Sequence, residues 1–216
     1  MTGVAPRSVC GLALLCLLSF PKTATAERPL PEWAAWESDR VVSLGEIALA
    51  RQHLALARSH AERATSLSPA NKGAWSLKTR TNIRIGSWAD ARSASTRWLA
   101  LAPTQREALL VAAELELLSG NTAAALLHYN RLGEQSNDDL DVALGLALCA
   151  AHEEQWGTME GQLKEALRLN PRLALASLPL QSGWTFIAER PAGIAALERV
   201  LQVDDAQSPQ EKTPGP

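Results

Sequence analysis

The chain has 216 residues, of which 46% are hydrophobic and 20% charged, a composition sufficient for the core of an ordinary globular domain. Alanine and leucine account for 37 and 35 residues, and both favour helices, whereas valine, isoleucine, tyrosine and phenylalanine are scarce. The formal net charge of -2 excludes a protein that binds nucleic acid through bulk positive charge. These values together predict an α-helical domain.

Residues 1–26 have the pattern of a secretory signal peptide. Arg7 supplies a positive start, residues 9–20 form an apolar run, and residues 24–26 are small, as a cleavage site requires. We therefore predict a signal peptide over residues 1–26, cleaved before Glu27, and a mature protein in the periplasm. An N-terminal anchor that is not cleaved is the alternative. No later apolar stretch approaches the roughly 20 residues of a bilayer-spanning helix, so we expect no membrane span in the mature chain.

Several features of the remaining chain recur with a 34-residue period. Pro69 and Pro103 are one period apart, Pro171 follows two periods later, and Asn137 occupies the midpoint of that longer interval. Small residues recur with the same period at Ala57, Ala91 and Ala125, followed by Met159, and at Gly86 and Gly120. Small side chains let two antiparallel helices pack closely, and proline ends a helix because it lacks an N–H donor. The pattern therefore predicts units of two helices and a turn.

These units resemble tetratricopeptide repeats. The matching residues are Leu44, Gly45, Ala57, Ala64 and Pro69 in the first unit, Trp75, Gly86, Ala91 and Pro103 in the second, Gly120, Ala125 and Tyr129 in the third, and Ala147, Ala166 and Pro171 in the fourth. The resemblance covers residues 38–171 and implies an all-α, right-handed superhelical solenoid of antiparallel helix pairs, with about four to five repeats. The repeat domain, 38–203, then consists of repeats at 38–71, 72–105, 106–139 and 140–173 and a degenerate repeat at 174–203.

The segments on either side of the repeats are short. Residues 27–37 form a lead segment whose Trp33 and Trp36 either cap the first repeat or serve as an exposed anchor for a partner, and the cap is the favoured interpretation. We predict a closing helix with a polar outer face over residues 192–203, followed by a disordered tail over residues 204–216.

The chain contains no sequence motif for catalysis or phosphate binding, such as a glycine-rich phosphate loop or His-Glu-x-x-His. Cys149 and His152 are three residues apart on a predicted helix, but a zinc site requires three or four ligands. His152 also precedes Glu153 and Glu154, which loosely resembles an acid–base cluster. A buried cysteine and a solvated charged cluster are the favoured interpretations. We therefore predict no catalytic residue, no metal and no cofactor.

Charge is distributed unevenly along the repeats. Residues 47–106 contain ten basic and two acidic residues, whereas residues 107–165 contain eleven acidic and two basic residues. In the simpler interpretation both surfaces are only solvated, and in the other the two halves contact partners of different charge. Arg80 and Arg84 are four residues apart on one predicted helix, so both can contact the same acidic segment.

In tetratricopeptide repeat proteins, the first helices of successive repeats line a concave groove that holds peptides or partner helices. The resemblance therefore implies partner-binding positions at Arg80, Ile83 and Arg84, at Leu110, Glu114 and Leu117, and at Leu148 and His152. The leading hypothesis is a non-enzymatic scaffold or adaptor that holds a protein or peptide, not nucleic acid, during assembly of a cell-envelope complex. The alternatives are a regulatory or docking subunit of an envelope enzyme and an enzyme with an unrecognised site. The sequence leaves the oligomeric state open.

Overall fold

The structure is a computed structural model that describes residues 32–136, 138–175, 178 and 183–207, with side chains described as far as residue 202. The predicted signal peptide and its cleavage site before Glu27 lie outside these residues, as do Asn137, Pro179 and most of the predicted C-terminal tail.

Nine α-helices and no strand occur in the described part of the chain, which confirms the predicted all-α class. The helices are α1 (Glu32–Ala50), α2 (Leu54–Leu67), α3 (Lys72–Ile85), α4 (Trp88–Leu101), α5 (Arg106–Leu118), α6 (Thr122–Gln135), α7 (Leu140–His152), α8 (Trp156–Leu169) and α9 (Pro191–Gln207), with a 3₁₀ helix at Thr185–Glu189. The first eight pack as consecutive pairs, and each pair contacts the next to form a solenoid. None of these helices combines the length and apolarity that a bilayer crossing requires.

The second helix of each pair follows the 34-residue period closely. Helices α2, α4, α6 and α8 begin at residues 54, 88, 122 and 156 and end at residues 67, 101, 135 and 169. Three of these helices therefore end two residues before Pro69, Pro103 and Pro171. Proline disfavours helical backbone angles at the residue before it, which explains the ends of α2, α4 and α8, whereas α6 ends at the same register with asparagine at position 137.

The first helix begins six residues before the predicted start of the first repeat. Helix α1 starts at Glu32, so the described part of the predicted lead segment is helical. Val41 and Ala34 lie on the buried face of α1, whereas Trp33 and Trp36 lie on another face and are 62% and 67% exposed. The two indoles therefore do not pack against the stack, contrary to the favoured interpretation of the sequence.

The last helix also extends beyond its predicted bounds. Helix α9 continues to Gln207, four residues into the predicted tail, because the first helix-breaking residue after it is Pro209. Glu198, Arg199 and Gln202 are exposed, as a polar outer face requires. The opposite face of α9, with Leu197 and Val200, joins a buried cluster. The cluster also contains Met159 and Leu163 of α8, and Trp184 and Ile187 of the segment before α9, whose described residues nearest to α9 are 183–190. This cluster fixes the segment before α9 against the fourth repeat.

The paired helices approach each other at residues with small side chains or none. Ala57, Ala91 and Ala125 are fully buried at equivalent positions of α2, α4 and α6. Consecutive pairs also approach closely, because a Cβ atom built at Gly145 of α7 would lie 2.2 Å from Cε1 of Tyr129 on α6. Only glycine leaves space for the Tyr129 ring beside α7.

Leucine at position 91 or 125 should destabilise the protein more than leucine at position 70. Extra methylene groups in a packed core typically cost about 1–3 kcal/mol, whereas Ala70 is exposed in the turn after Pro69. Chemical denaturation of Ala91→Leu, Ala125→Leu and Ala70→Leu measures the difference. Equal unfolding free energies in the three variants would contradict the assigned repeat register.

Alanine should have opposite effects at two glycines inside neighbouring helices. Alanine favours helix over glycine by roughly 0.5–1 kcal/mol, so Gly161→Ala in α8 should raise Tm, because a Cβ there meets no atom within 4 Å. Gly145→Ala should lower Tm despite the same gain in helix propensity, because the Tyr129 ring must move. Thermal unfolding of both variants tests this, and a higher Tm for Gly145→Ala would show that the close contact is not required.

Candidate functional site

A groove of about 580 Å³ lies between α5, α7 and the segment before α9. Its two helical walls come from the first helices of the third and fourth repeats, which contact each other directly. Residues Gly183–Phe186 form a further wall. The side chains that line the groove are mainly apolar, with two carboxylates among them: Leu110, Glu114, Leu117, Leu118, Tyr129, Asp141, Leu144, Leu148, His152, Trp184, Thr185 and Phe186.

Helical spacing explains why these side chains share one surface. Leu110, Glu114 and Leu117 are four and three residues apart on α5, and Leu148 and His152 are four residues apart on α7. The structure therefore brings together five of the eight partner-binding positions implied by the sequence. Their role in binding stays a prediction.

The two carboxylates of the groove differ in how their charges are balanced. Asp141 accepts a hydrogen bond of 2.7 Å from Arg106, which also forms a 2.8 Å ion pair with Asp139. The same arginine holds the pKa of Asp139 below its ordinary value. Glu114 has no ion pair with a basic side chain in the described part of the chain. The uncompensated negative charge of the groove therefore lies mainly at Glu114.

Glu114 is accessible to water, but the groove walls replace much of the solvent around its carboxylate. This desolvation raises the pKa of Glu114, and the nearby charge of Asp141 raises it further. Burial is also the main cause of a raised pKa for the Tyr129 hydroxyl, with Glu114 a second cause. The third repeat thus contributes a carboxylate that is costly to ionise without a cation nearby.

A stacked pair of rings forms the contact between the fourth repeat and the segment before α9. The rings of His152 and Phe186 are 4.2 Å apart between centroids and inclined by 30°. The Arg190 guanidinium lies 5.2 Å from the Phe186 centroid and donates a 3.1 Å hydrogen bond to the Phe186 carbonyl. Burial, and secondarily the charge of Arg190, lower the pKa of His152, so its ring is neutral at neutral pH. The His152 ring, stacked on Phe186, thus joins the fourth repeat to the further wall of the groove.

The structure separates Cys149 from the groove. Cys149 is fully buried among apolar side chains, including Leu109 and Ala113 of α5, and burial raises the pKa of its thiol to about 12. The groove-lining His152 stacks on Phe186 instead. The thiol is therefore protonated and shielded, which makes it a packing residue.

The other three predicted positions lie in a separate, smaller depression of about 350 Å³. Arg80, Ile83 and Arg84 line it together with Glu46, Leu49 and Ala50. Arg80 forms an ion pair with Glu46, which occupies the equivalent position one repeat earlier. Arg80 is thus engaged within the chain, whereas Arg84 is exposed. The structure does not present these two arginines as an equivalent pair of available cations.

Ion pairs also link the basic and acidic halves of the chain. Arg92 on α4 forms a two-pronged contact with Glu116 on α5, with distances of 2.9 and 2.8 Å. Arg106 on α5 contacts Asp139 and Asp141 at the start of α7. The uneven charge distribution is therefore partly neutralised where consecutive repeats meet.

Several residues of the groove are not among the partner-binding positions implied by the sequence. Leu144 lies one repeat period after Leu110, so the period was a sufficient signal for it. Asp141 lies in the first turn of α7, where an acidic residue is common for reasons unrelated to a ligand. Trp184 and Phe186 belong to a segment without the repeat pattern, and no periodic signal could have placed them in the groove.

Comparisons with solved structures establish the fold. The chain matches no protein-family model and no curated protein sequence. It is similar to MamA from Desulfovibrio magneticus RS-1, with 13% identity over 80% of this chain and 97% of that chain and a TM-score of 0.63. It is also similar to YrrB, a tetratricopeptide repeat protein with an unusual peptide-binding site, with 12% identity over 77% of this chain and 86% of that chain and a TM-score of 0.61. A third similar structure is PilW, a type IV pilus biogenesis factor, with 17% identity over 77% of this chain and 78% of that chain and a TM-score of 0.59. The chain therefore has the tetratricopeptide repeat fold.

Removing the charge of Glu114 should stabilise the protein at neutral pH. Because the pKa of Glu114 is raised on folding, its ionised form destabilises the folded state, and this cost disappears as pH falls below that pKa. Glu114→Gln should therefore raise Tm at pH 7, with a smaller difference in mildly acidic solution. Glu107→Gln, in the exposed first turn of the same helix, is the matched control and should not raise Tm. A lower Tm for Glu114→Gln at pH 7 would show that the carboxylate is stabilised by its surroundings.

Proposed function

We propose that this protein is a non-enzymatic scaffold that binds a segment of a partner protein in the groove between α5, α7 and residues 183–186. The observation that carries the proposal is the groove itself, in which two successive first helices of a tetratricopeptide solenoid present apolar side chains around one carboxylate, Glu114, that has no ion pair among the described residues. Leu110, Leu144 and Leu148 supply an apolar surface, and Glu114 supplies a charge. Such a surface favours a segment with apolar side chains next to a lysine or arginine.

The energetics of Glu114 support this choice of ligand. A carboxylate with a raised pKa gains more from a cationic partner than one that is already well solvated, because the partner offsets the cost of desolvation. Removing the charge at position 114 is therefore expected to raise the stability of the free protein and to weaken binding of the partner. A titratable group that lines a groove and whose pKa is shifted by desolvation is a common feature of binding sites.

The same proposal places the scaffold outside the cytoplasm, in the assembly of a cell-envelope complex. Its support is the signal-peptide pattern of residues 1–26 together with the structural similarity to PilW, which is a pilus biogenesis factor.

Site-specific photo-crosslinking tests the groove as the binding site. A photoreactive amino acid replaces Leu144 inside the groove in one variant and the exposed Leu127 on α6 in the other. After irradiation in the producing cells, we expect one defined partner to be attached at position 144 and not at position 127. Glu114→Gln should reduce the yield at position 144, whereas Glu107→Gln should leave it unchanged.

Two results would contradict the proposed function. Equal attachment of the same partner at positions 144 and 127 would mean that the groove does not select it. An attached partner whose yield is unaffected by Glu114→Gln, together with loss of that yield in Arg84→Ala, would place recognition at the smaller basic depression instead.

A further inference from the structure

Helix α1 carries a second apolar face that no side chain of the described residues covers. Trp33, Trp36, Leu44 and Ile47 are each 40–67% exposed, and with Arg40 they form a single stripe along the helix. Their spacings of three, four, four and three residues keep them within one narrow sector of a 3.6-residue helix. The stripe runs from Trp33 to Ile47, which corresponds to about 21 Å of helix.

In the later repeats the positions equivalent to the C-terminal half of the stripe are mostly buried, whereas those equivalent to Trp36, at Ala70, Thr104 and Asp138, are exposed and precede the first helices. The positions equivalent to Arg40 are Ala74, Ala108 and Val142, and those equivalent to Ile47 are Thr81, Leu115 and Cys149, all of them buried. Val142 and Cys149, for example, lie in a cluster with side chains of α5 and α6, the preceding helix pair. The part of the stripe from Arg40 to Ile47 therefore corresponds to the face that packs on the preceding pair in later repeats, whereas Trp33 and Trp36 extend the stripe over turns that the later first helices lack.

The residues of the stripe are spaced symmetrically along the helix, and this symmetry favours a second copy of α1 as the partner that covers it. Its positions are symmetric about Arg40, because Trp33 and Ile47 are seven residues away on either side and Trp36 and Leu44 are four residues away. Two antiparallel copies of α1 related by a two-fold axis at Arg40 would therefore place each tryptophan against an aliphatic side chain of the other copy. A two-fold interface requires this kind of self-complementarity.

The charges on α1 fit the same arrangement. Arg40 forms a two-pronged contact of 2.8 and 2.7 Å with Glu37 on its own helix, so each copy would bring a counter-ion to the axis. A bilayer surface with anionic lipids fits less well, because α1 carries Glu32, Glu37, Asp39 and Glu46 against the single basic residue Arg40.

From these observations we infer that the outer stripe of α1 is a self-association surface, on which two copies of the chain pack as an antiparallel, two-fold α1–α1 pair. Tryptophan is enriched among the residues that contribute most to interface affinity, so we expect Trp36, about one helical turn from the axis, to contribute strongly. The surface is separate from the groove between α5 and α7, and the inference does not depend on the proposed function.

Sedimentation equilibrium tests the inference. The sample is protein purified from the producing cells, with the N-terminus as those cells process it. We expect a dimer, and Trp36→Ser or Leu44→Asp should weaken it by at least about tenfold. Trp88→Ser is the matched control, because Trp88 is 51% exposed on α4 and outside the stripe. Because all three side chains are exposed, circular dichroism should show unchanged helix content in each variant.

Crosslinking between copies tests the two-fold geometry. A short bismaleimide should join Arg40→Cys to itself, because position 40 lies on the axis, and should not join Trp33→Cys to itself, because the two copies of position 33 would be about 21 Å apart. A monomeric wild-type protein would overturn the inference, and so would a dimer that survives Trp36→Ser and Leu44→Asp. Binding of the monomer to vesicles containing phosphatidylglycerol, lost in Trp36→Ser, would assign the stripe to a membrane surface instead.

Discussion

The structure depends on how closely its helices approach one another, both within a pair and between consecutive pairs. At Ala57, Ala91 and Ala125 the second helices present a methyl group at a fully buried contact, and at Gly145 the first helix of the fourth repeat presents no side chain at all to the Tyr129 ring. Side chains of larger volume at these points would separate neighbouring helices. Because the alanines recur with the repeat period, they set the spacing and orientation of the pairs along the solenoid.

The groove follows from that spacing. Close packing of α5 against α6 and of α7 against α8 directs one face of α5 and one face of α7 toward the same open side, where Leu110, Glu114 and Leu148 meet. The segment before α9 then adds Phe186, held by stacking on His152 and by Arg190. The repeats alone would give an open surface, and the non-repeated segment converts it into a site with three walls.

The repeat period predicted the second helices well and the irregular parts poorly. The prolines at 69, 103 and 171 and the alanines at 57, 91 and 125 are local signals that depend only on helix packing and termination, so the bounds of α2, α4 and α8 follow from them. The start of α1 at Glu32 was not predictable from the period, because residues 32–37 precede the first repeat. The ion pair between Arg80 and Glu46 joins equivalent positions of two repeats, and the period could have indicated it. The wall at Phe186 depends on tertiary contacts that no local pattern encodes.

The most direct test of the groove is hydrogen–deuterium exchange of the protein alone and bound to its partner. Backbone amides of residues 183–190 lie outside regular α-helix and should be the most sensitive to an occupant that contacts Phe186. We predict slower exchange in the complex for this segment and for the last turns of α5 and α7, with α2 and α3 unchanged. Slower exchange confined to α1–α3, with no change at residues 183–190, would contradict the assignment of the groove as the binding site.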